Sequence, residues 1–128
     1  MGNRMNRKQK IGKNGEDKAC VFLKRRGFEI LERNYRTRSG EIDIVAMDGE
    51  ELVFAEVKTR TGQQFGTPAE AVTALKQKHL IDTARYYIHQ KQLYQTAVRF
   101  DVIEVSIRKV GMFHKVTVNH IKNAFVLS

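Results

Sequence analysis

Residues 40–60 read GEIDIVAMDGEELVFAEVKTR, two alternating runs joined at Asp48-Gly49. The fold follows from how these runs pair. Successive side chains of a strand point to opposite faces, so Ile42, Ile44 and Ala46 alternate with Glu41, Asp43, Val45 and Met47. In the second run Val53, Ala55 and Val57 alternate with Leu52, Phe54, Glu56 and Lys58. Asp-Gly suits a two-residue type I′ turn, which needs positive φ at both central positions. With that pair as the loop, Met47 faces Glu50, Val45 faces Leu52, Asp43 faces Phe54 and Glu41 faces Glu56. Asp43 is then diagonal to Glu56, and Lys58 lies about 7 Å further along the same face. Two acids and a lysine converge among Ile, Val and Phe, where ionised groups are costly without a task. Glu41 has two readings: it shares a cation with Glu56, or it turns out at the strand entry to pair with Arg36 or Arg38.

Upstream of this hairpin, Asn14 offers a side-chain oxygen as N-cap, with Glu16 and Asp17 in the first turn of a helix that stops at Gly27. Glu16, Ala19, Cys20 and Leu23 share a face, so Glu16 ends an apolar stripe and could point toward the sheet. Residues 1–13 carry five basic groups and no acid, and read as a flexible basic arm, leaving residues 14–128 as a single domain. Residues 28–36 suggest a first strand, followed by a basic turn at 36–40.

Downstream, residues 59–66 form a loop by their Gly, Thr and Gln content. Thr67, Pro68 and Glu70 make a capping box that starts a second helix running to about residue 91. Its expected buried stripe is Val72, Leu75, His79, Leu80, Ala84, Tyr87 and Ile88. Residues 97–107 alternate as another strand, 108–111 turn the chain, and 114–121 form a last, half-exposed strand. The expected class is α/β in the order αβββαββ, a mixed central sheet flanked by helices.

The chain has 128 residues, 41% hydrophobic and 29% charged, which fits one globular domain. Twenty-three Lys and Arg against fourteen Asp and Glu give a net charge of +9, pointing to a polyanionic partner, nucleic acid first. Arg36, Arg38, Arg60, Lys76 and Lys13 are the cations expected to meet phosphates. No apolar run approaches the roughly 18 residues of a spanning helix, and no secretory signal follows the basic start, so a cytoplasmic protein without membrane attachment is expected. Cys20, the single cysteine, reads as a small buried hydrophobe. The four histidines lack zinc spacing, and His79 is expected in the core. No Ser-His-Asp arrangement or phosphate-binding glycine loop is present.

Two carboxylates and a lysine suit hydrolysis of a phosphodiester. The acids can hold Mg²⁺ or Mn²⁺ with several waters attached, and Lys58 can orient the attacking water or stabilise charge on the phosphorane. An acid followed by E-V-K on a neighbouring strand is similar to the PD-(D/E)XK signature of restriction endonuclease-like enzymes, with Ile42 where that name has proline. The wider pattern GxxGE (12–16), KRRGFEILERNYR (24–36), GEIDIVAMDG (40–49), FAEVKTR (54–60), FGTPAEAVTALKQ (65–77) and HIKNAF (120–125) resembles the bacterial YraN family. Members of that family are predicted endonucleases related to Holliday-junction resolvases.

The resemblance spans about residues 12–125 and implies a restriction endonuclease-like core. Asp43 and Glu56 would be metal ligands, Lys58 the catalytic lysine and Glu16 a helix-borne acid completing the site, with Glu41 a further candidate ligand. It implies a Mg²⁺- or Mn²⁺-dependent endonuclease acting on DNA, branched or structured DNA in particular, as a homodimer. Two alternatives stand beside it: a non-catalytic nucleic-acid-binding module on the same scaffold, and an RNA nuclease. Lys76 could brace Glu56, and Asp101 reads as structural.

Overall fold

The computed structural model describes residues 5–62 and 73–125. In chain order these form α1 (Arg7–Arg25), β1 (Glu29–Thr37), β2 (Gly40–Asp48), β3 (Glu51–Thr61), α2 (Ala74–Lys91), β4 (Ala97–Val110) and β5 (Phe113–Phe125). One sheet holds the strands in the order β1-β2-β3-β4-β5. Only β3 and β4 pair in parallel, which demands a long crossover, and α2 lies in that connection. Ala19, Cys20 and Leu23 of α1 pack on Ile44, Ala46, Val53 and Ala55, while Leu80, Ala84 and Tyr87 of α2 pack with Val45, Leu52, Phe54 and Phe100. Each face of the sheet thus carries one helix and its own core. This mixed α/β arrangement is consistent with a restriction endonuclease-like core, and Cys20 is buried as expected. Among the described residues no helix is long and apolar enough to cross a membrane.

Helix α1 starts earlier than its charge pattern suggests. Asn6 caps it, accepting from Gln9 N–H at 2.8 Å while Gln9 Oε1 accepts from Asn6 N–H at 3.0 Å, a reciprocal capping box. Residues 7–13, expected in a flexible arm, are therefore its first turns, and Asn14 is interior. Lys, Arg and Gln are good helix formers, so basic character concealed a helix rather than disorder. The start expected for the second helix at Thr67, Pro68 and Glu70 lies outside the described residues. Within them Thr73 caps α2, accepting from Lys76 N–H at 3.2 Å. Leu75 and His79 are exposed rather than buried, and Thr83 takes an interior position with its hydroxyl donating to the His79 carbonyl at 2.7 Å.

The hairpin register also departs from expectation. Gly49 and Glu50 form the loop, so Asp48 pairs with Glu51, Met47 with Leu52, Val45 with Phe54 and Ile44 with Ala55. Arg99 on β4 explains the slip: its guanidinium lies 2.9 Å from Asp48 Oδ2 and 3.2 Å from Glu51 Oε1, holding as partners two acids that would otherwise repel. Glu56 consequently moves from opposite Glu41 to the level of Asp43.

Strict alternation also fails at Asp43, because Ile42 packs in the α2-side core and Ile44 in the α1-side core. Across from this break, between the pairs Arg33–Ile44 and Tyr35–Ile42, Asn34 adopts φ 54°, a conformation Asn tolerates better than most residues.

Asp101 is structural, as expected. Arg99 grips it through two hydrogen bonds of 2.9 and 3.0 Å, the Asn123 N–H donates at 2.9 Å, and His120 Nε2 lies 2.7 Å away. Burial pushes the Asp101 carboxyl up, but the bonds from His120, Arg99 and the Asn123 amide outweigh it and hold the group below its usual range.

Candidate functional site

A single glycine delivers the helix-borne acid. A Cβ at Gly15 would fall 1.8 Å from Thr59 Oγ1, so only glycine lets α1 approach β3 this closely. Glu16, the next residue, thereby reaches the sheet. Asp43 arrives from the broken pleat of β2, and Glu41 from the entry of the same strand. One carboxylate oxygen from each of Glu16, Glu41 and Asp43 lies within 4.8 Å of the other two.

Several groups fix these acids. The Val57 N–H donates to Asp43 Oδ2 at 2.8 Å. Arg36 Nε donates to Glu41 Oε2 at 3.0 Å, the pairing that one of the two readings of Glu41 expects. Glu41 nonetheless stays beside Asp43 and Glu16. Asn34, with its amide nitrogen turned toward the acids so that its polar atoms all find partners, donates to Glu41 Oε1 at 3.0 Å and Glu16 Oε2 at 3.2 Å. Arg33 lies 2.7 Å from Asp17 and 3.8 Å from Glu16. Neither Asn34 nor Arg33 stood out in the sequence. The only hint was an Asn in the first strand run, a residue suited to positive φ.

Glu56 sits beside this trio rather than in it. It is 7% exposed, and its Oε1 lies 2.5 Å from Lys76 Nζ and 3.5 Å from Lys58 Nζ. Asp43 and Glu56 together line two clefts of about 270 Å³ each. One is completed by Glu41, Lys76 and His79, the other by Ile11, Glu16 and Thr59. Lys13 and Arg36 border a larger hollow over Glu16 and Glu41, and Arg38 is exposed. Arg60, expected on phosphate, is committed elsewhere: its Nε lies 2.9 Å from Glu104 Oε2, with both side chains largely covered. That contact is one of charge, not an aligned hydrogen bond.

The electrostatics follow from these contacts. Burial, then the charge of Glu56, pushes Asp43 up to about 8, against the opposing Val57 hydrogen bond. Glu16 is also raised by burial, with Asn34 and Arg33 opposing. Lys58 is lowered by burial and by the neighbouring Lys76. Burial pulls Lys76 down too, but its contacts with Glu56 and Lys58 reverse the net direction.

This donor set suits a hard cation. Mg²⁺ takes oxygens at about 2.1 Å, placing ligands on opposite sides of the ion roughly 4.2 Å apart. At most one pair of three such ligands is trans, and neighbouring ligands sit roughly 3 Å apart, so oxygens within 4.8 Å of one another would draw together around a bound ion. A dication would also offset the repulsion that raises Asp43.

The model of the "Uncharacterised protein family UPF0102" matches residues 15–105. Relatives span nearly the whole chain. A UPF0102 protein of Caldicellulosiruptor saccharolyticus is 45% identical over 118 residues, covering 92% of this chain and 98% of its own. One of Clostridioides difficile is 46% identical over 121 residues, covering 94% and 100%. Another, of Desulforapulum autotrophicum, is 50% identical over 100 residues, covering 78% and 83%. This chain belongs to the UPF0102 family, as its resemblance to the YraN proteins implied.

Proposed function

We propose that this UPF0102 protein is a divalent-metal-dependent nuclease that hydrolyses phosphodiester bonds in DNA. The observation that carries the reading is the meeting of Glu16, Glu41 and Asp43 beside the Glu56–Lys58 pair, at the edge of clefts open to solvent. Glu16, Glu41 and Asp43 would hold Mg²⁺ or Mn²⁺, which when bound polarises a phosphate oxygen and makes a bound water more acidic.

The chain's own groups account for the remaining work. Asp43 is oriented by the Val57 N–H, and Glu41 and Glu16 by Asn34, so the ligands are positioned before any ion arrives. Lys58 gives up its proton more readily than a free lysine, which suits a group that accepts hydrogen bonds from an attacking water and returns positive charge as the phosphorane forms. Lys76 compensates Glu56, so a phosphate approaching Lys58 does not meet an unbalanced carboxylate. Lys13 borders the hollow over Glu16 and Glu41, Arg38 is exposed, and the net charge of +9 favours polyanion capture.

Branched or structured DNA is the proposed substrate, and a homodimer goes with it because a junction presents two equivalent strands. The test incubates the protein with Mg²⁺ or Mn²⁺ and a panel of junction, flap and linear DNAs plus an RNA hairpin. Metal-dependent products from the branched DNAs support the reading. Salt-sensitive binding without products would leave a pure binding module, and products from RNA alone would reassign the substrate.

A further inference from the structure

The far end of the sheet carries a feature that phosphodiester chemistry does not use. Pairing of β3 with β4 ends at Thr61 and Ile107 among the described residues, while β4 and β5 continue as a hairpin closed by Gly111 and Met112. Residues 108–117 are all exposed. At the tip, Val110 is 51%, Met112 93% and Phe113 80% exposed. Gly111 has φ 62°, which a tight two-residue turn requires, but the turn chemistry asks for nothing apolar at its second position.

The flanks are cationic. Arg108 pairs across the ladder with Lys115, and Lys109 with His114. Like charges directly opposite destabilise a hairpin. No acid occurs from Val105 to the end of the chain, and among the described residues Arg108, Lys109 and Lys115 form no ion pair that would relieve the repulsion. On one face of the hairpin, a groove of about 710 Å³ against α1 is lined by Arg7, Lys18 and Lys109 with Ile11, Ile107 and Val116. By strand alternation Arg108, Val110, Phe113 and Lys115 occupy the other face, the one carrying Glu56 and Lys58. Val110 lies eight residues beyond Val102, the partner of Glu56, about 26 Å along the strand at roughly 3.3 Å per residue.

We propose that the β4–β5 hairpin is a nucleic-acid-binding element that holds the backbone with Arg108 and Lys115 and stacks Met112 and Phe113 on an unpaired base. An anionic backbone relieves the Arg108–Lys115 repulsion, and a base offers the exposed aromatic a π face. A second copy of this chain fits the tip poorly, because docking two cationic hairpins adds repulsion. The inference deepens the nuclease reading and rests on it only for what happens to the bound strand. It adds that the favoured nucleic acid has unpaired bases beside a duplex.

The test measures fluorescence anisotropy without divalent metal, so nothing is cut, using a single-stranded oligonucleotide, a blunt duplex and a duplex with a single-stranded flap. Phe113→Ser should weaken the single-stranded and flap probes roughly tenfold and change the blunt duplex less than about twofold. Arg108→Ser with Lys115→Ser should weaken all three and lower the salt slope by about 0.9 per lost duplex phosphate contact. Equal binding of every probe by Phe113→Ser, or an equal loss on all three, overturns the inference. So does sedimentation showing that wild type self-associates and Phe113→Ser does not. If the Phe113 signature is present but nothing is cut when metal is added, the nuclease reading alone fails. If cutting depends on Asp43 while Phe113→Ser binds and cuts flaps like wild type, the hairpin inference alone fails.

Discussion

Val57 donates its backbone N–H to Asp43 Oδ2 at 2.8 Å, so a β2 side chain is fixed directly to the backbone of β3. The bond holds Asp43 at the level of Glu56, acid beside acid, in a largely buried place.

That arrangement costs stability when no cation is bound. The folded-state pKa of Asp43, about 8, lies above the roughly 3.9 of an unfolded chain, so between those values the folded state binds more protons. Stability should therefore fall as pH rises through this window, with the penalty complete above about pH 8. Asp43→Asn keeps an acceptor for the Val57 N–H and removes the charge. In urea titrations with EDTA it should be more stable than wild type at pH 8, by on the order of 1–2 kcal/mol, and nearly equal to it at pH 4. A less stable Asp43→Asn at pH 8 would count against the like-charge account.

Metal should reverse the penalty. Adding Mg²⁺ or Mn²⁺ at a hundredfold excess over the dissociation constant should stabilise wild type by about 2.7 kcal/mol. The gain should be larger at pH 8 than at pH 6, because the ligands must be deprotonated. Glu16→Gln and Asp43→Asn should each reduce it sharply in thermal melts. An undiminished response in both would place the ion elsewhere.

Gly15→Ala tests how α1 delivers Glu16. The new methyl collides with Thr59, and relief requires the helix to move away from β3. Calorimetry should show a loss of roughly 1–3 kcal/mol, as for overpacking generally, and a weakened metal response. Adding Thr59→Gly should recover the metal response even if strand stability does not return. Failure of that double variant to regain metal binding would mean that the close approach does not position Glu16.

Asp101 provides the contrast. Its carboxyl is held below the ordinary range, so its contribution is present above that range and is lost as pH falls through the depressed folded value. Asp101→Asn leaves the buried Arg99 short of its charge partner and should cost about 3–5 kcal/mol at neutral pH in urea titrations. Its metal-induced stabilisation should match that of wild type, and a lost metal response would connect this network to the site.

Local patterns made much of this molecule legible before its structure. The strands at residues 40–60 and 97–107, the stop at Gly27 and the order of elements all depend on neighbours in sequence, and each survives in the fold. What escaped depends on distant partners. The hairpin register is set by Arg99 on β4, and Arg60 is taken by Glu104 on the same strand. Asn34 joins Glu16 to Glu41 only because β1 twists at positive φ opposite Asp43. The extended α1 was hidden by its charge. Asp43, Glu56 and Lys58 were found together because they lie on adjacent strands of one hairpin. The Glu41–Arg36 pair and the Lys76–Glu56 contact were each one of the sequence's alternatives, and the packed fold forms both.

The most direct measurement is single-turnover cleavage of a branched DNA with saturating Mg²⁺ or Mn²⁺, comparing wild type with Asp43→Asn and Lys58→Met. The account predicts metal-dependent products with wild type and a rate reduced by about 10²–10³ or more in each variant, the range for losing a charged group that acts on the transition state. Equal cleavage by all three proteins, or none by wild type once melts show the metal bound, would contradict it.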